Sequence, residues 1–246
     1  MISTISHEFK FAVETKDLWR IYPLANVEGG GIKALQGINL QVPAGKFVAL
    51  TGRSGCGKTT LLNCLAGLDH PSSGSIHILG RELDKMSDQN LTTWRRENIG
   101  LIFQSFGLLP TLSAYENVEL ILRIKGESYR SRHQRALECL DLVGLSDWRN
   151  HRPYEMSGGQ QQRVAIARAL ANRAKLILAD EPTGELDSKT TRELLCFFRD
   201  LVEKEKITLL MVSHDPLVDQ YAHMVLPMKD GNLAEPVQIQ HTDQIQ

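Results

Sequence analysis

The octapeptide GRSGCGKT, at Gly52–Thr59, constrains the fold of this chain more than any other stretch. It fits the pattern G-x-x-x-x-G-K-[ST]. A continuous apolar run, Phe47–Thr51, precedes it, and a stretch with helical spacing that ends near Gly67 follows it. A strand, a glycine-rich loop and a helix in that order predict a phosphate-binding loop of an α/β protein.

Each residue type in this loop has a defined part in phosphate binding. The glycines let backbone N–H groups close around a β-phosphate. Lys58 places a positive charge on the β- and γ-phosphates, and the Thr59 hydroxyl is a ligand for Mg²⁺. The predicted nucleotide contacts in this segment are Gly52, Arg53, Ser54, Gly55, Cys56, Gly57, Lys58, Thr59 and Thr60.

Three further apolar strands end in polar side chains. KLILADEPTG carries Asp180 and Glu181, ITLLMVSHD carries His214, and NIGLIFQ ends at Gln104. Ligands of open α/β sheets bind at the carboxyl ends of the strands, so these side chains are expected beside the phosphate loop. Asp180 is predicted to hold Mg²⁺, directly or through water, and Glu181 to take a proton from an attacking water.

The residues at the two remaining strand ends have less clearly defined roles. His214 is predicted to contact the γ-phosphate or the attacking water, although a lone histidine is more often a packed or surface residue. The amide oxygen of Gln104 is within expected reach of Mg²⁺ or water. The apolar loop that follows it, 105–112, is predicted to dock a membrane partner.

A second anion site is predicted in YEMSGGQQQRVAIARAL. Ser157 and Gln160 form a capping box that begins a helix, and Gly158 and Gly159 lie in its first turn. A helix start exposes backbone N–H groups and the positive end of the helix dipole. Without a local base or metal ligand, such a site clamps an anion and does not react with it.

The order of the strands and helices predicts an α/β fold. Continuous apolar strands separated by helices favour a mostly parallel sheet that is covered on both faces. The helical stretch at about 105–173 is interpreted as an inserted subdomain. Residues 9–232 are expected to form one cassette, and residues 233–246 a polar C-terminal tail.

Upstream, the segment WRIYPL offers an aromatic surface for a nucleotide base. Tyr22 is the predicted stacking residue, Trp19 competes with it, and either is compatible with an ordinary core position.

Composition excludes several classes of function. Lys plus Arg is 28 and Asp plus Glu is 29, so no basic field favours nucleic acid. The apolar runs are far shorter than the ~20 residues of a membrane-spanning helix, and the N-terminus lacks a signal-peptide core. The four cysteines are scattered without a CxxC pair, and we expect them to be reduced and structural.

Together these motifs resemble the nucleotide-binding subunit of ABC transporters, from about Phe11 to Asn232. GRSGCGKT is similar to its Walker A motif, LILADE to Walker B and MSGGQQQR to its signature; Gln104 matches its Q-loop and His214 its switch histidine. GLIFQSFGLLPTLSAYENVEL and DEPTGELDS are similar to the ATPases of lipoprotein-releasing and macrolide-exporter type systems.

The resemblance implies a P-loop NTPase core with an antiparallel β subdomain and an inserted α-helical subdomain. It implies ATP and Mg²⁺ as cofactors, ATP hydrolysis, and transmembrane permease subunits as partners at the cytoplasmic face of the plasma (inner) membrane. In this family two cassettes pair head to tail, and the signature of one caps the nucleotide of the other. Where relatives usually carry Asn or a small residue, this chain has Glu185.

Two other functions share these residues. One is an ABC ATPase that drives a transmembrane mechanical or signalling complex without moving a substrate. The other is a DNA-repair or chromosome ATPase, whose long coiled coil separates the P-loop from the signature. Lys58 and Ser157 are only 99 positions apart (157 − 58) with no sustained heptads between them, so the second is set aside.

Overall fold

The computed structural model of this protein describes residues 9–24 and 31–239. Within them the chain forms eleven strands and six α-helices. The strands are β1 (Phe11–Pro23), β2 (Gly31–Pro43), β3 (Phe47–Thr51), β4 (Ser73–Ile78), β5 (Arg81–Glu82), β6 (Ile99–Ile102), β7 (Leu176–Asp180), β8 (Thr208–Ser213), β9 (Met224–Lys229), β10 (Asn232–Leu233) and β11 (Val237–Gln238). The helices are α1 (Lys58–Leu65), α2 (Asp88–Asn98), α3 (Ala114–Ile124), α4 (Tyr129–Leu142), α5 (Gly158–Ala171) and α6 (Ser188–Glu205).

The central sheet is mostly parallel, as the apolar strands predict. Five of its strands lie side by side in the order β6, β7, β8, β3 and β9. The four pairings between them are all parallel. Along β3, Phe47 and Ala49 face one apolar core, whereas Val48 and Leu50 face the other. This alternation has the period of two expected of a strand, and both faces are buried.

The two cores cover different faces of this sheet. One is built from α3, α4, α5 and α6, and the other from α1 and a second sheet. That second sheet is antiparallel, in the order β2, β1, β4 and β5. Helix α1, which begins in the glycine-rich loop, therefore lies between the two sheets.

The helical insertion has the predicted capping box at Ser157 and a second one at Ser113, which the Ser-x-x-Glu spacing predicts in the same way. In α3 and α5 the side chains of Ser113 and Ser157 accept from the backbone of Glu116 and Gln160, and the reciprocal bonds are present. Helix α2 is not anticipated by the sequence patterns. It is capped by Ser87 and buries only Leu91, so it has no apolar stripe to reveal it.

Three expectations from the sequence need correction. Strand β6 ends at Ile102, two residues before Gln104. The polar tail predicted from residue 233 begins inside β10, and β11 also pairs with β9, whereas residues 240–246 lie outside the described residues. Cys196 is exposed and so has no structural part in the core, whereas Cys56, Cys64 and Cys139 are buried.

Residues 25–30, between β1 and β2 in the sequence, lie outside the described residues. Across residues 9–24 and 31–239, every helix is too short or too polar to cross a bilayer.

Candidate active site

The glycine-rich loop leaves β3 at Thr51 and is folded tightly against its neighbours. A Cβ on Gly52, whose φ is 152°, would collide with the Met228 carbonyl oxygen. A Cβ on Gly57, whose φ is 108°, would collide with the Ala34 carbonyl oxygen. The N–H of Gly231 donates to the Cys56 carbonyl at 2.9 Å. The loop is thus clasped between β2 and the turn that follows β9.

Lys58, the first residue of α1, crosses this loop. Its Nζ donates to the carbonyl oxygens of Gly52 at 2.8 Å and Arg53 at 3.0 Å, and the residue is only 5% exposed. The ammonium is therefore held in a fixed place at the positive end of the helix.

Strand β7 brings a carboxylate to the start of the same helix. Thr59 Oγ1 donates to Asp180 Oδ1 at 3.2 Å. Burial raises the pKa of Asp180 above its usual range; the neighbouring charge of Glu181 acts in the same direction, and the Thr59 hydrogen bond and Lys58 oppose it. A hydroxyl beside a carboxylate is the type of oxygen pair that Mg²⁺ binds.

Glu181 and His214 meet at the ends of adjacent strands. His214 Nδ1 lies 3.0 Å from Glu181 Oε2. The Glu181 N–H donates to the Val212 carbonyl at 3.0 Å, and its φ of 44° is a conformation that non-glycine residues seldom adopt. Such backbone strain at a carboxylate is typical of a functional position.

The loop opens into a cleft of about 460 Å³. Its walls include Tyr22, the segment 54–60 and Glu181. Trp19 does not line it, and its indole N–H instead donates to Asp17 Oδ1 at 2.9 Å. Of the two aromatic candidates, the structure therefore brings Tyr22 to the cleft.

Gln104 does not line this cleft and lies beside Gly184. It is exposed, and its Nε2 is 3.4 Å from the position that a Cβ on Gly184 would occupy. The carbonyl of Glu181 lies at the same distance from that position. The amide is thus beside the turn that follows Glu181, and the structure shows no hydrogen bond between it and Thr59 or Asp180.

The predicted second anion site lies away from the cleft. Ser157 and Gln160 form their capping box, and none of Ser157, Gly158, Gly159 and Gln160 lines the cleft. Gly158 instead faces the turn after Glu181, where a Cβ on it would lie 3.6 Å from Leu186 Cδ2 and 4.0 Å from the Glu185 carbonyl. The two predicted anion sites therefore lie in separate places of the chain.

Two residues that sequence reasoning missed hold the loop after Gln104. Arg168 donates to the carbonyl oxygens of Phe106, at 2.9 Å, and Gly107. Asn117, which is buried, accepts from the Leu109 N–H at 2.8 Å and donates to the Leu109 carbonyl at 3.1 Å. For Arg168 the only local signal is a charged residue in an otherwise apolar stretch of helix, whereas Asn117 lies beside Glu116 and has no such signal.

A groove of about 350 Å³ lies beside this loop. Phe103 and Ile121 supply apolar walls, and Arg95, Arg96 and Arg168 supply positive charge. No carboxylate is among the described residues that line it. Burial lowers the pKa of Arg168, whose partners are backbone carbonyls.

A family model described as ABC transporter matches residues 35–184, more than half of the chain. The chain belongs to the ABC transporter family. This ABC transporter chain is 45% identical over 223 residues to the uncharacterized ABC transporter ATP-binding protein MJ1508 of Methanocaldococcus jannaschii. The aligned region covers 91% of this chain and 98% of MJ1508. It is 47% identical to the macrolide export ATP-binding/permease protein MacB of Rhodopirellula baltica, over 84% of this chain and 30% of MacB.

The solved structures agree with this assignment. A dimeric structure of the cassette MJ0796 in a post-hydrolysis state, bound to ADP and Pi, has a TM-score of 0.84 and 40% identity, and covers 94% of this chain and 100% of that chain. MJ0796 is a protein of Methanocaldococcus jannaschii. The ABC transporter chain is therefore an ATPase, and the expected α/β fold with antiparallel and helical subdomains is confirmed.

Proposed function

We propose that this chain is the ATP-binding and ATP-hydrolysing subunit that powers an ABC transporter through separate membrane subunits. The observation that carries the proposal is the position of Glu181. Glu181 lines the same cleft as the phosphate loop, and its carboxylate is hydrogen-bonded to the His214 imidazole. A phosphate cradle with a carboxylate base at its mouth is suited to hydrolysis of a terminal phosphate.

ATP occupies the cleft in this proposal. The N–H groups of the glycine-rich loop and Lys58 bind its phosphates, and Tyr22 stacks on adenine. Thr59 and Asp180, whose oxygens are already paired, would hold Mg²⁺, and the Gln104 amide oxygen would be a further ligand. There the ion would supply positive charge against the phosphates of the nucleotide.

The proton transfer falls to one oxygen of Glu181. His214 Nδ1 occupies Oε2, so Oε1 is left to accept a proton from the attacking water. With its proton on Nδ1, His214 donates a hydrogen bond to Oε2. This bond orients the carboxylate and stabilises its negative charge. Lys58, held by two carbonyls at the loop, supplies positive charge at the γ-phosphate.

A second copy of the cassette completes the site. In this proposal residues 157–160, which do not line the cleft of their own chain, contact the nucleotide that another chain holds. The relative MJ0796 has been solved as a dimeric cassette, which supports the pairing of two cassettes here.

The groove beside loop 105–112 is the proposed docking place of the permease subunit. Leu109 and Phe103 are 46% and 39% exposed at this edge, and the groove walls combine apolar surface with three arginines. Phe106 and Leu108 are only partly exposed, so the loop is less open than its composition suggests. Docking there would hold the chain at the cytoplasmic face of the membrane as a peripheral subunit.

Co-purification and reconstitution test this function. The chain is expressed with the membrane subunits that copurify with it, and the complex is inserted into vesicles. We expect ATP hydrolysis with movement of a tracer across the vesicle membrane, both lost in Glu181→Gln. Hydrolysis without flux of any offered tracer would favour the mechanical or signalling alternative, which the transporter names of the relatives do not favour.

A further inference from the structure

The ring of Tyr22 is backed by an ion pair. The guanidinium carbon of Arg20 lies 4.3 Å from the ring centroid. The Tyr22 hydroxyl donates to Asp69 Oδ2 at 2.6 Å. Arg20 also donates to Asp69 through Nε at 2.9 Å, and its Nη2 lies 2.7 Å from Oδ1. These three side chains form a closed triad in which each contacts the other two.

The triad is a fixed structure despite its position near the surface. Arg20 and Asp69 are each 22% exposed and are joined by a two-pronged contact, the ion-pair geometry that costs least freedom. Burial by itself would raise the pKa of Asp69, but the hydrogen bonds from Tyr22 and Arg20 outweigh it and lower the pKa.

Asp69 also ties the triad to helix α1, which begins in the phosphate loop. Its N–H donates to the Asn63 carbonyl in α1 at 3.2 Å, and its Oδ1 accepts from the His70 N–H at 2.8 Å. Helix α1 begins at Lys58, so Asp69 lies at the opposite end of the helix whose start holds the phosphates. Eight helical residues span about 12 Å.

We propose that Arg20 and Asp69 are positioning residues that hold the Tyr22 ring for stacking on the base of the nucleotide. The inference rests on the proposed function, because it takes Tyr22 as the base-stacking residue. Arg20 covers one face of the ring, and Asp69 fixes its rotation through the hydroxyl. The ring, which lines the cleft, is thereby ordered before the base arrives.

The physical advantage is pre-organisation. A free tyrosine side chain loses rotamer freedom when it stacks, and that loss reduces affinity. In this chain the rotamer is already selected by the triad. The triad contributes nothing to phosphate binding directly, so its effect must fall on the part of the affinity that depends on the base.

The test compares two ligands, ATP and inorganic tripolyphosphate, which carries the phosphates without a base. Dissociation constants are measured for the wild type, Asp69→Asn, Tyr22→Phe and Tyr22→Ala. We expect Tyr22→Ala to weaken ATP binding by roughly 5- to 150-fold, the range of base stacking on an aromatic side chain. Asp69→Asn, which removes the charge that holds Arg20 and the Tyr22 hydroxyl, and Tyr22→Phe, which removes the hydroxyl, are each expected to weaken it by roughly 3- to 10-fold.

Tripolyphosphate affinity is expected to be unchanged in all three variants. Asp69→Asn in the Tyr22→Ala background is expected to cause no further loss, because the ring that Asp69 positions is absent. Asp200→Asn, which breaks an ion pair on α6, is the matched control and should leave both affinities unchanged. Thermal melts verify that each variant is folded.

The outcomes are separable. An equal loss for ATP and tripolyphosphate in Asp69→Asn, or losses that add in the double variant, would overturn the positioning role. An ATP-specific loss in Tyr22→Ala with none in Asp69→Asn and Tyr22→Phe would overturn this inference and leave the proposed function intact. Full ATP affinity in Tyr22→Ala would overturn base stacking itself and the inference with it.

Discussion

The Glu181 carboxylate and the His214 imidazole lie 3.0 Å apart, although 33 positions separate them in the sequence. The contact follows from the parallel register of β7 and β8, in which Asp180 is opposite Val212. Each side chain comes just after its strand, so both lie at the same edge of the sheet. This edge is also the mouth of the phosphate cleft.

Replacing Glu181 with Gln should leave ATP binding intact and reduce hydrolysis by at least ~10²-fold, the effect of losing a general base. The amide keeps the size of the side chain but cannot accept the proton. Equilibrium binding and steady-state turnover measure the two parts. Glu193→Gln, which neutralises an exposed acid on α6, is the control and should turn over at the wild-type rate.

A Glu181→Gln variant that kept more than about a tenth of the wild-type turnover would remove Glu181 from that role.

Replacing His214 with Ala should lower turnover by roughly 10- to 100-fold, because Glu181 loses the group that orients it. Glu181→Gln and the double variant should have the same turnover, since the two residues act as one unit. Single-turnover kinetics measure this. Multiplied losses in the double variant would mean that His214 acts independently of Glu181.

Crosslinks from Leu109→Cys should reach a cytoplasmic loop of the membrane partner. The variant is made in a Cys196→Ser background, which removes the exposed thiol. Burial raises the pKa of Cys64 to about 12 and of Cys139 to about 11, so these thiols stay protonated and unreactive at neutral pH. Val237→Cys, on β11, is the control, and crosslinks from that site alone would place docking elsewhere.

Glu185→Asn, in a Glu181→Gln background, should tighten the ATP-bound dimer by roughly fivefold at low salt. Glu185 is exposed, and its carbonyl lies near Gly158, where the partner's γ-phosphate is expected. Removing a like charge relieves repulsion, and the gain should shrink as salt rises. Sedimentation with ATP measures it, with Glu193→Gln as control; an unchanged dimer would mean that Glu185 is already paired across the interface.

The pH dependence of stability should reveal the Asp69 ion pair. Because the folded-state pKa of Asp69 is lowered, its stabilisation is complete above the unfolded value of about 3.9 and is lost as pH falls through the lowered pKa. The difference in Tm between wild type and Asp69→Asn should therefore be constant from pH 8 to 5 and narrow below about pH 4. Asp200→Asn should show little difference at any pH, and a gap that widens toward pH 5 would contradict the assignment.

Much of the site could be predicted because strand ends in a parallel sheet converge. Asp180, Glu181 and His214 each follow an apolar run, and the sheet brings them together without further information. Both capping boxes were readable because their bonds are local, three residues apart. Helix α2 could not be predicted, because a polar helix with one buried residue has no periodic pattern of apolar residues.

The choice between Tyr22 and Trp19 could not be made from alternation along a strand. Register shifts interrupt the pairing of β1 with β2 on both sides of Arg20, so counting by two fails between these residues. Arg168 escaped for another reason. Its acceptors are carbonyl oxygens 61 and 62 positions away, and a backbone acceptor leaves no residue type to recognise.

The clasp around the glycine-rich loop sets a lower limit on the length of an autonomous unit. The segment that the family model matches ends at residue 184, yet Gly52 is folded against Met228, and Cys56 accepts a hydrogen bond from Gly231. A truncation at residue 184 would retain the whole Walker A sequence without the wall that shapes it. Deletions and fusions of this protein must therefore keep the chain through Gly231, which lies beyond His214, the last of the motif residues.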